Sequence, residues 1–258
     1  MLGGLFPLAA TPPFRIALYN GGGAFGGGMG HELEFYQAVN TAATSLSRAH
    51  NTSFNLHNIT EKNTTSLLNH SYFDVVIFPG GSGSAQAKAL GNEGLDTVQA
   101  FVSRGGGYIG TCGGAFLAIQ HLYLYGKPAP PAVEPWMRGH GPVLVEFTDM
   151  GVDQLQLGSA YRDANVSIEY WQGPIVKAAD FPPSVALLSF FRSEIHTLSP
   201  NKTTGNMVNT PAMTSASYGK GRVVLNSPHP EIPPEHIGGR TSPEIYQGEL
   251  EWVLGLSR

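Results

Sequence analysis

The feature that most constrains the fold is the run Asp74–Phe78 (DVVIF), which ends at Pro79-Gly80-Gly81. A continuous β-branched and aromatic run suits a strand that is covered on both faces, and such strands are typical of parallel sheets. Similar runs occur at Arg15–Tyr19 (RIALY) and Arg222–Ser227 (RVVLNS). Because helical patterns alternate with strand patterns in the first half of the chain, we predict an α/β fold with a parallel, doubly wound sheet.

The second half of the chain is less regular and richer in strand patterns. The predicted helices are His31–Ala49, Lys62–Asn69, Gly94–Arg104, Gly113–His121 and Pro243–Leu256. The further predicted strands are Phe54–His57, Tyr108–Thr111, Val143–Phe147, Ile168–Trp171, Val185–Phe190 and Ala212–Tyr218. We interpret residues 14–258 as one domain with a β-rich insertion in its second half, and residues 1–13 as a lead-in or a signal-peptide remnant.

Composition excludes several classes of function. The net charge is −4, with only 15 Lys and Arg among 258 residues and no basic cluster, so we expect no nucleic-acid partner. No apolar run approaches the roughly 20 residues that span a bilayer. One cysteine cannot form an internal disulfide or a thiolate metal site, and the nine histidines lack ligand spacing, so we expect no metal and no cofactor.

The pattern Asn-x-Ser/Thr, which is the acceptor sequence for N-glycosylation, indicates the cellular compartment of the protein. It occurs six times, against about two expected by chance, at Asn51, Asn58, Asn63, Asn69, Asn165 and Asn201. We therefore predict an N-glycosylated protein of the secretory pathway or the extracellular space. The alternative is a cytoplasmic protein with a Thr- and Asn-rich loop, and nothing in the sequence indicates an oligomeric state.

The pattern Gly110-Thr111-Cys112-Gly113-Gly114 lies between a predicted strand and a predicted helix. A nucleophile on such a strand-to-helix turn projects from the sheet, and only small neighbours tolerate the tight backbone. The helix N-terminus favours a thiolate, and its backbone amides could stabilise an oxyanion. We predict Cys112 as a nucleophile, although a small buried residue in a glycine-rich turn is the structural alternative.

A thiolate nucleophile generally needs a base and a group that orients the base. The segment Ser227-Pro228-His229-Pro230-Glu231 follows the last strong strand. If that strand lies in the same parallel sheet, His229 emerges on the same rim as Cys112, and the flanking prolines stiffen the segment. We predict His229 as the base and Glu231 as the acceptor for its second ring nitrogen.

Taken in order along the chain, these segments resemble the class I glutamine amidotransferase-like superfamily. Within it, the chain most resembles the group related to the amino-terminal domain of eukaryotic biotin-protein ligases. The similar stretches are DVVIFPGGSG (Asp74–Gly83), GGGYIGTCGGAFLA (Gly105–Ala118), RGHGPVLVEF (Arg138–Phe147), YWQGP (Tyr170–Pro174) and YGKGRVVLNSPHPE (Tyr218–Glu231).

The resemblance implies a flavodoxin-like fold and a Cys112-His229-Glu231 triad. It also implies an oxyanion hole formed by the backbone amides of Gly81 and Gly113. Without a synthetase domain, we expect hydrolysis of a small amide or γ-glutamyl C–N bond rather than ammonia transfer. Secreted γ-glutamyl hydrolases, which this chain resembles in fold and in the Cys-His pair, offer a precedent for a standalone enzyme.

Other residues are candidates for substrate binding. Gly80 and Gly114 flank the expected oxyanion donors, while His140 and Trp171 belong to the similar stretches; Trp171 could equally be core, and Arg138, His140 and Glu146 could have structural roles. The glycines of Gly21–Gly26 satisfy a dinucleotide-binding pattern, but the acidic residue that should follow the second strand is missing. We expect this loop to shape the pocket, with His31, Glu32 and Glu34 either reaching it or pairing with the helix dipole.

Two other functions are compatible with the sequence. In an α/β-hydrolase with cysteine in place of serine, the acid should precede the histidine, whereas Glu231 follows His229 by two residues. A non-catalytic or redox-sensing binding protein of the same fold would keep an oxidation-sensitive thiol without turnover.

Overall fold

The computed structural model describes residues 12–25, 31–126, 131, 133, 139–195, 205–233 and 243–256. The strands are β1 (Phe14–Tyr19), β2 (Phe54–Ile59), β3 (Val75–Phe78), β4 (Gly107–Thr111), β5 (His140–Phe147), β6 (Asn165–Trp171), β7 (Ala186–Phe191), β8 (Pro211–Tyr218) and β9 (Gly221–Asn226). The helices are α1 (Glu32–His50), α2 (Thr64–Leu67), α3 (Gly83–Ser103), α4 (Gly113–Gln120), α5 (Asp149–Gln154) and α6 (Pro243–Leu254).

The strands form one nine-stranded sheet in the order β2-β1-β3-β4-β9-β8-β7-β5-β6. The pairings from β2 to β9 are parallel, and those from β9 to β6 are antiparallel. The predicted doubly wound α/β fold is confirmed, and the β-rich second half continues the same sheet. Because β4 and β9 are parallel neighbours, their carboxyl ends, which carry Cys112 and His229, lie side by side.

Helices cover both faces of the parallel half, as the buried runs predicted. In β3, Val75 and Ile77 pack with α1 and α6, whereas Val76 and Phe78 pack with α3 and α4. All four side chains are 0% exposed. Such two-sided burial excludes polar residues from these strands and explains their continuous apolar pattern. A separate apolar cluster lies under β5–β8 and α5.

Two helices differ from the sequence prediction. The helix predicted from Gly94 begins at Gly83 and is interrupted at Gly91, whose φ is 62°. Its first turn is capped by Ser82, whose Oγ accepts a hydrogen bond from the Ala85 amide. The glycines favoured a loop in this stretch, so the prediction of its start was wrong. Helix α5 was not predicted, because six residues are too few to show a helical period.

The antiparallel half brings the far edge of the sheet back to the parallel half. Glu169 in edge strand β6 forms an isolated antiparallel bridge with His229, which follows β9. The amide of His229 donates to the carbonyl oxygen of Glu169 at 2.7 Å. The end of β6 therefore lies directly against the segment that carries the predicted base.

Candidate active site

Cys112 occupies a strained turn between β4 and α4. Its φ is 52° and its ψ is −104°, a left-handed conformation that non-glycine residues adopt only where the surroundings impose it. The amide of Cys112 donates to the carbonyl oxygen of Asn226 in β9 at 2.8 Å. A Cβ on Gly113 would lie 2.5 Å from the Gly81 oxygen, so the next residue must be small. This is the local geometry that the glycine-rich pattern predicted.

His229 and Glu231 form a buried pair beside this turn. Nδ1 of His229 lies 2.9 Å from Oε1 of Glu231. The two residues are 1% and 7% exposed. The contact holds the imidazole in one orientation. The other ring nitrogen, Nε2, has no hydrogen-bond partner among the described residues.

The surroundings of His229 favour its protonated form. Burial lowers the pKa of the ring, but the Glu231 carboxylate and the nearby Cys112 outweigh burial and raise the pKa to about 10. The Cys112 side chain therefore interacts electrostatically with the His229 ring. At neutral pH, the geometry favours an imidazolium next to the sulfur, and an imidazolium stabilises a thiolate.

The thiol of Cys112 makes a hydrogen bond on its other side. Sγ lies 3.1 Å from the carbonyl oxygen of Trp171, at the end of β6, and donates to it. Cys112 is only 3% exposed. The end of β6 therefore contacts both predicted catalytic residues: Glu169 accepts from the backbone of His229, and Trp171 accepts from the thiol of Cys112.

The two predicted oxyanion donors lie side by side. The position of a Cβ on Gly113 is 3.1 Å from the amide nitrogen of Gly81. Within the described part of the chain, neither amide donates a hydrogen bond. The amide of Gly114, by contrast, donates to the Pro79 carbonyl oxygen at 3.1 Å, and this hydrogen bond connects the first turn of α4 with the Pro79-Gly80-Gly81 turn.

The glycine loop after β1 holds the Pro79-Gly80-Gly81 turn in place. The Phe25 amide donates to the Gly80 oxygen at 2.9 Å, and the Ser82 amide donates to the Gly23 oxygen at the same distance. The described part of the loop therefore borders the site, as expected, although residues 26–30 of the predicted loop lie outside the described residues. No additional role is needed to explain its glycines.

Aromatic side chains surround Trp171. The ring of His140 stacks on it with centroids 4.9 Å apart, and the ring of His31 meets its edge at 5.1 Å. Indole Nε1 of Trp171 donates to Oε1 of Glu169 at 2.9 Å. Of the aromatic substrate-binding candidates, Trp171 contacts Cys112 through its backbone, and His140 contacts the Trp171 ring, as does His31.

Glu169 is the site residue that the sequence analysis missed. It stands between Ile168 and Tyr170, and a charged residue inside an apolar strand pattern was the sequence signal that could have indicated it; the structure shows this carboxylate to be 5% exposed. Glu146, which had been considered with His140, instead pairs with Arg192 at 2.6 Å. Arg138 lies outside the described residues.

Among the described residues, no group of three or more His, Cys, Asp or Glu side chains could hold a metal ion. No helix in the described part of the chain has the length and apolar character needed to cross a membrane.

Residues 28–127 match the family model described as "Biotin-protein ligase, N terminal". No curated protein sequence matches the chain. The chain is similar in structure to PurLQS from Thermotoga maritima, with 15% identity, a TM-score of 0.59 and coverage of 94% of this chain and 99% of that one.

Two further solved structures are similar over nearly the whole chain. The glutaminase domain of CTPS from Trypanosoma brucei, with bound acivicin, is 13% identical, has a TM-score of 0.53 and is matched over 95% of both chains. A ThuA-like protein from Bacteroides uniformis is 15% identical, has a TM-score of 0.56 and is matched over 99% of this chain and 97% of that one. These similarities show that the chain has the flavodoxin-like fold that glutamine amidotransferase-like proteins share.

Proposed function

We propose that the protein is a cysteine-nucleophile hydrolase that cleaves a small amide or γ-glutamyl C–N bond. The observation that carries the proposal is the arrangement at the ends of β4 and β9. Cys112 occupies a strained turn there, beside a buried His229 that Glu231 orients and whose pKa Cys112 helps to raise. A nucleophile, a base and an orienting group in this relation are the parts that acyl transfer requires.

The first half of the proposed reaction forms a thioester. In this reaction His229 already holds the proton as an imidazolium, so Cys112 reacts as a thiolate, and the thiolate attacks the substrate carbonyl carbon. The new S–C bond displaces the carbonyl electron pair onto oxygen, which accepts hydrogen bonds from the Gly81 and Gly113 amides; one such donor is worth about 3 kcal/mol in transition-state stabilisation. The C–N bond then breaks as His229 donates its proton to the leaving nitrogen.

The second half releases the acid. The now neutral His229 takes a proton from water, and the hydroxide attacks the thioester carbonyl. The C–S bond breaks, which regenerates the thiolate and the imidazolium. The balance is one amide and one water consumed and one acid and one amine formed. Glu231 stabilises the imidazolium in both halves, and we assign His140 and Trp171 to substrate binding beside the sulfur.

The test is ammonia or amine release from a panel of glutamine and γ-glutamyl amides. We expect activity in the wild type and a loss of at least about 10²-fold in Cys112→Ala and His229→Ala. The matched control is His57→Ala, an exposed histidine in edge strand β2 that lies in no part of the proposed site. Unchanged turnover in Cys112→Ala would remove the proposed role of the sulfur.

A second candidate is a non-catalytic or redox-sensing binding protein. It is favoured by the 3% exposure of Cys112 and by the hydrogen bond from its thiol to the Trp171 oxygen. The family that matches residues 28–127 is also described as an N-terminal domain of a ligase. Rapid oxidation of Cys112 by hydrogen peroxide, with no turnover of any amide in the panel, would favour this candidate over the hydrolase.

We also propose that the chain enters the secretory pathway and carries N-glycans. The support is the excess of Asn-x-Ser/Thr sites, three of which have exposed asparagines in the described residues: Asn51, Asn58 and Asn165. Retention in the cytoplasm without glycans is the alternative outcome.

A further inference from the structure

A buried carboxyl group lies behind the Cys112 turn, on the closing helix. Glu249 in α6 is 0% exposed, and its Oε2 accepts a hydrogen bond from Nδ2 of Asn226 at 3.0 Å. Asn226, also 0% exposed, ends β9, and its carbonyl oxygen accepts the Cys112 amide at 2.8 Å. Two hydrogen bonds, one from the side chain of Asn226 and one to its backbone carbonyl, therefore connect α6 with the nucleophile turn through a single residue.

The surroundings of Glu249 supply no compensating cation. Among the described residues, no Lys, Arg or His forms an ion pair with it, and its Oε1 has no hydrogen-bond partner. The titratable groups that face it are Glu231 after β9, Tyr246 on α6 and Tyr125 after α4.

On the side of α6 that packs against α1, Glu251 is paired with His50 at 2.8 Å. That pair leaves Glu249 without a cation from α1 in the described part of the chain. Burying a carboxylate without a cation is costly, so a buried acid in this position is held neutral. Burial, followed by the negative charge of Glu231, raises the pKa of Glu249 to about 8, although the hydrogen bond from Asn226 opposes this.

We propose that Glu249 is a positioning residue for the nucleophile: a neutral carboxylic acid that fixes Asn226 under the Cys112 turn and leaves the negative charge of the site to Glu231. The inference rests on the proposed roles of Cys112 and His229. A turn with φ of 52° at a non-glycine residue persists only where its surroundings fix it, and the Asn226 carbonyl is one such constraint.

The charge of Glu249 matters as well as its hydrogen bond. Two carboxyl groups in one buried region share protons, so one of them stays neutral while the other is ionised. Loss of the Glu249 proton would place a second negative charge behind Glu231. That charge would disfavour a thiolate at Cys112 and weaken the nucleophile.

The test uses the thiol itself and needs no knowledge of the substrate. Cys112 is the only cysteine, so alkylation by iodoacetamide, followed by intact mass, reports on this sulfur alone. Alkylation rates are compared for the wild type, Glu249→Gln, Glu249→Ala and Glu251→Gln, at about pH 6.5 and about pH 9, on either side of the Glu249 titration. Glu251→Gln is the matched control, since Glu251 is an equally buried acid on the same helix.

We expect Glu249→Gln, which resembles the neutral acid, to react within about twofold of the wild type at the lower pH. At the higher pH, the wild type should be at least about threefold slower than Glu249→Gln, because only the wild type gains the extra charge. Glu249→Ala should be about tenfold slower at both pH values, and Glu251→Gln should follow the wild type. Thermal denaturation of each variant separates a displaced thiol from an unfolded chain.

Two results would overturn the inference: a wild-type rate in folded Glu249→Ala, or a rate ratio of wild type to Glu249→Gln that does not change with pH. If Glu249→Ala does not fold, the pH dependence of that ratio decides alone. His229→Gln distinguishes this failure from failure of the proposed function. Slow alkylation in His229→Gln with normal alkylation in Glu249→Ala rejects only the positioning role, and the reverse pattern rejects only the Cys-His pair.

Discussion

The imidazole of His229 occupies the space that a side chain on Gly80 would need: a Cβ built on Gly80 would lie 2.6 Å from Cε1 of the ring. The sequence predicts Gly80 as a substrate-binding residue, and the structure shows in addition that the absence of a side chain at Gly80 makes room for the base. Because His229 is 1% exposed, the ring has little space into which it could move.

We therefore predict that Gly80→Ala displaces the imidazole. The expected results are a loss of at least about tenfold in Cys112 alkylation at neutral pH and a decrease of about 1–3 kcal/mol in the free energy of unfolding, as is typical of overpacking. Gly158→Ala is the matched control, since a Cβ on Gly158 would meet nothing within 4 Å. Alkylation of Gly80→Ala at the wild-type rate would show that the position of the ring does not control the thiol.

The pair formed by His229 and Glu231 predicts a pH dependence of stability. Because the pKa of His229 rises from 6.5 to about 10 on folding, the pair's contribution is fully present below pH 6.5 and is lost as the pH rises through about 10. Urea unfolding of the wild type and of the double variant His229→Gln/Glu231→Gln should reveal it. Between these two pH values, the free energy of unfolding of the wild type should fall by more than about 1 kcal/mol relative to the variant.

The double variant removes both charges and keeps similar volumes, so pH effects from exposed groups are common to the two proteins and cancel in the difference. Because Glu231 helps to raise the pKa of Glu249, the comparison is repeated with Glu249→Gln in both proteins. Parallel curves for the wild type and the double variant from pH 6.5 to about 10 would contradict the ion pair.

The parallel half of the fold was predictable because its strands are buried on both faces. Runs such as Asp74–Phe78 have a composition that few other environments permit. The Cys112 turn was predictable for a related reason, since its flanking glycines follow from close backbone contacts. His229 was placed correctly at the rim because β4 and β9 are parallel neighbours.

The contributions of β6 to the site were not predictable. Glu169 and Trp171 contact His229 and Cys112 only because the antiparallel half curves back to the parallel half, and no local pattern encodes that curvature. Glu249 was hidden for a similar reason, since an acid in an amphipathic helix ordinarily indicates an exposed face. Long-range packing, rather than propensity, decides such positions.

The stack of His140 on Trp171 predicts a role in binding rather than in the chemical step. The rings lie 4.9 Å apart, and the described contacts of His140 are with Trp171 rather than with Cys112 or His229. On the best amide of the panel, His140→Ala should raise KM by about three- to tenfold with little change in kcat, as expected for the loss of a binding contact. A decrease in kcat without a change in KM would instead assign His140 to the chemical step.

The exposed glycosylation sites predict glycans at both edges of the sheet. Asn58 is exposed in edge strand β2, and its Oδ1 accepts a hydrogen bond from Tyr36, which leaves the amide nitrogen available. Asn165 is exposed at the start of β6, the opposite edge strand. Glycans there would block the unpaired backbone groups through which edge strands associate.

Secreted expression in a eukaryotic host, followed by enzymatic deglycosylation, should decrease the mass in discrete steps. Asn58→Gln and Asn165→Gln should each remove one step, whereas Asn55→Gln should remove none, because Asn55 is equally exposed in β2 but lacks the Ser/Thr two residues later. Asn63 and Asn69 are half-buried, and the side-chain nitrogen of Asn69, to which a glycan would be attached, donates to the Ser66 carbonyl oxygen at 3.4 Å, so we expect both to be modified less often. A secreted protein whose mass does not change on deglycosylation would refute the modification. Failure of the chain to be secreted would favour a cytoplasmic location, where the reducing environment keeps its single thiol reduced.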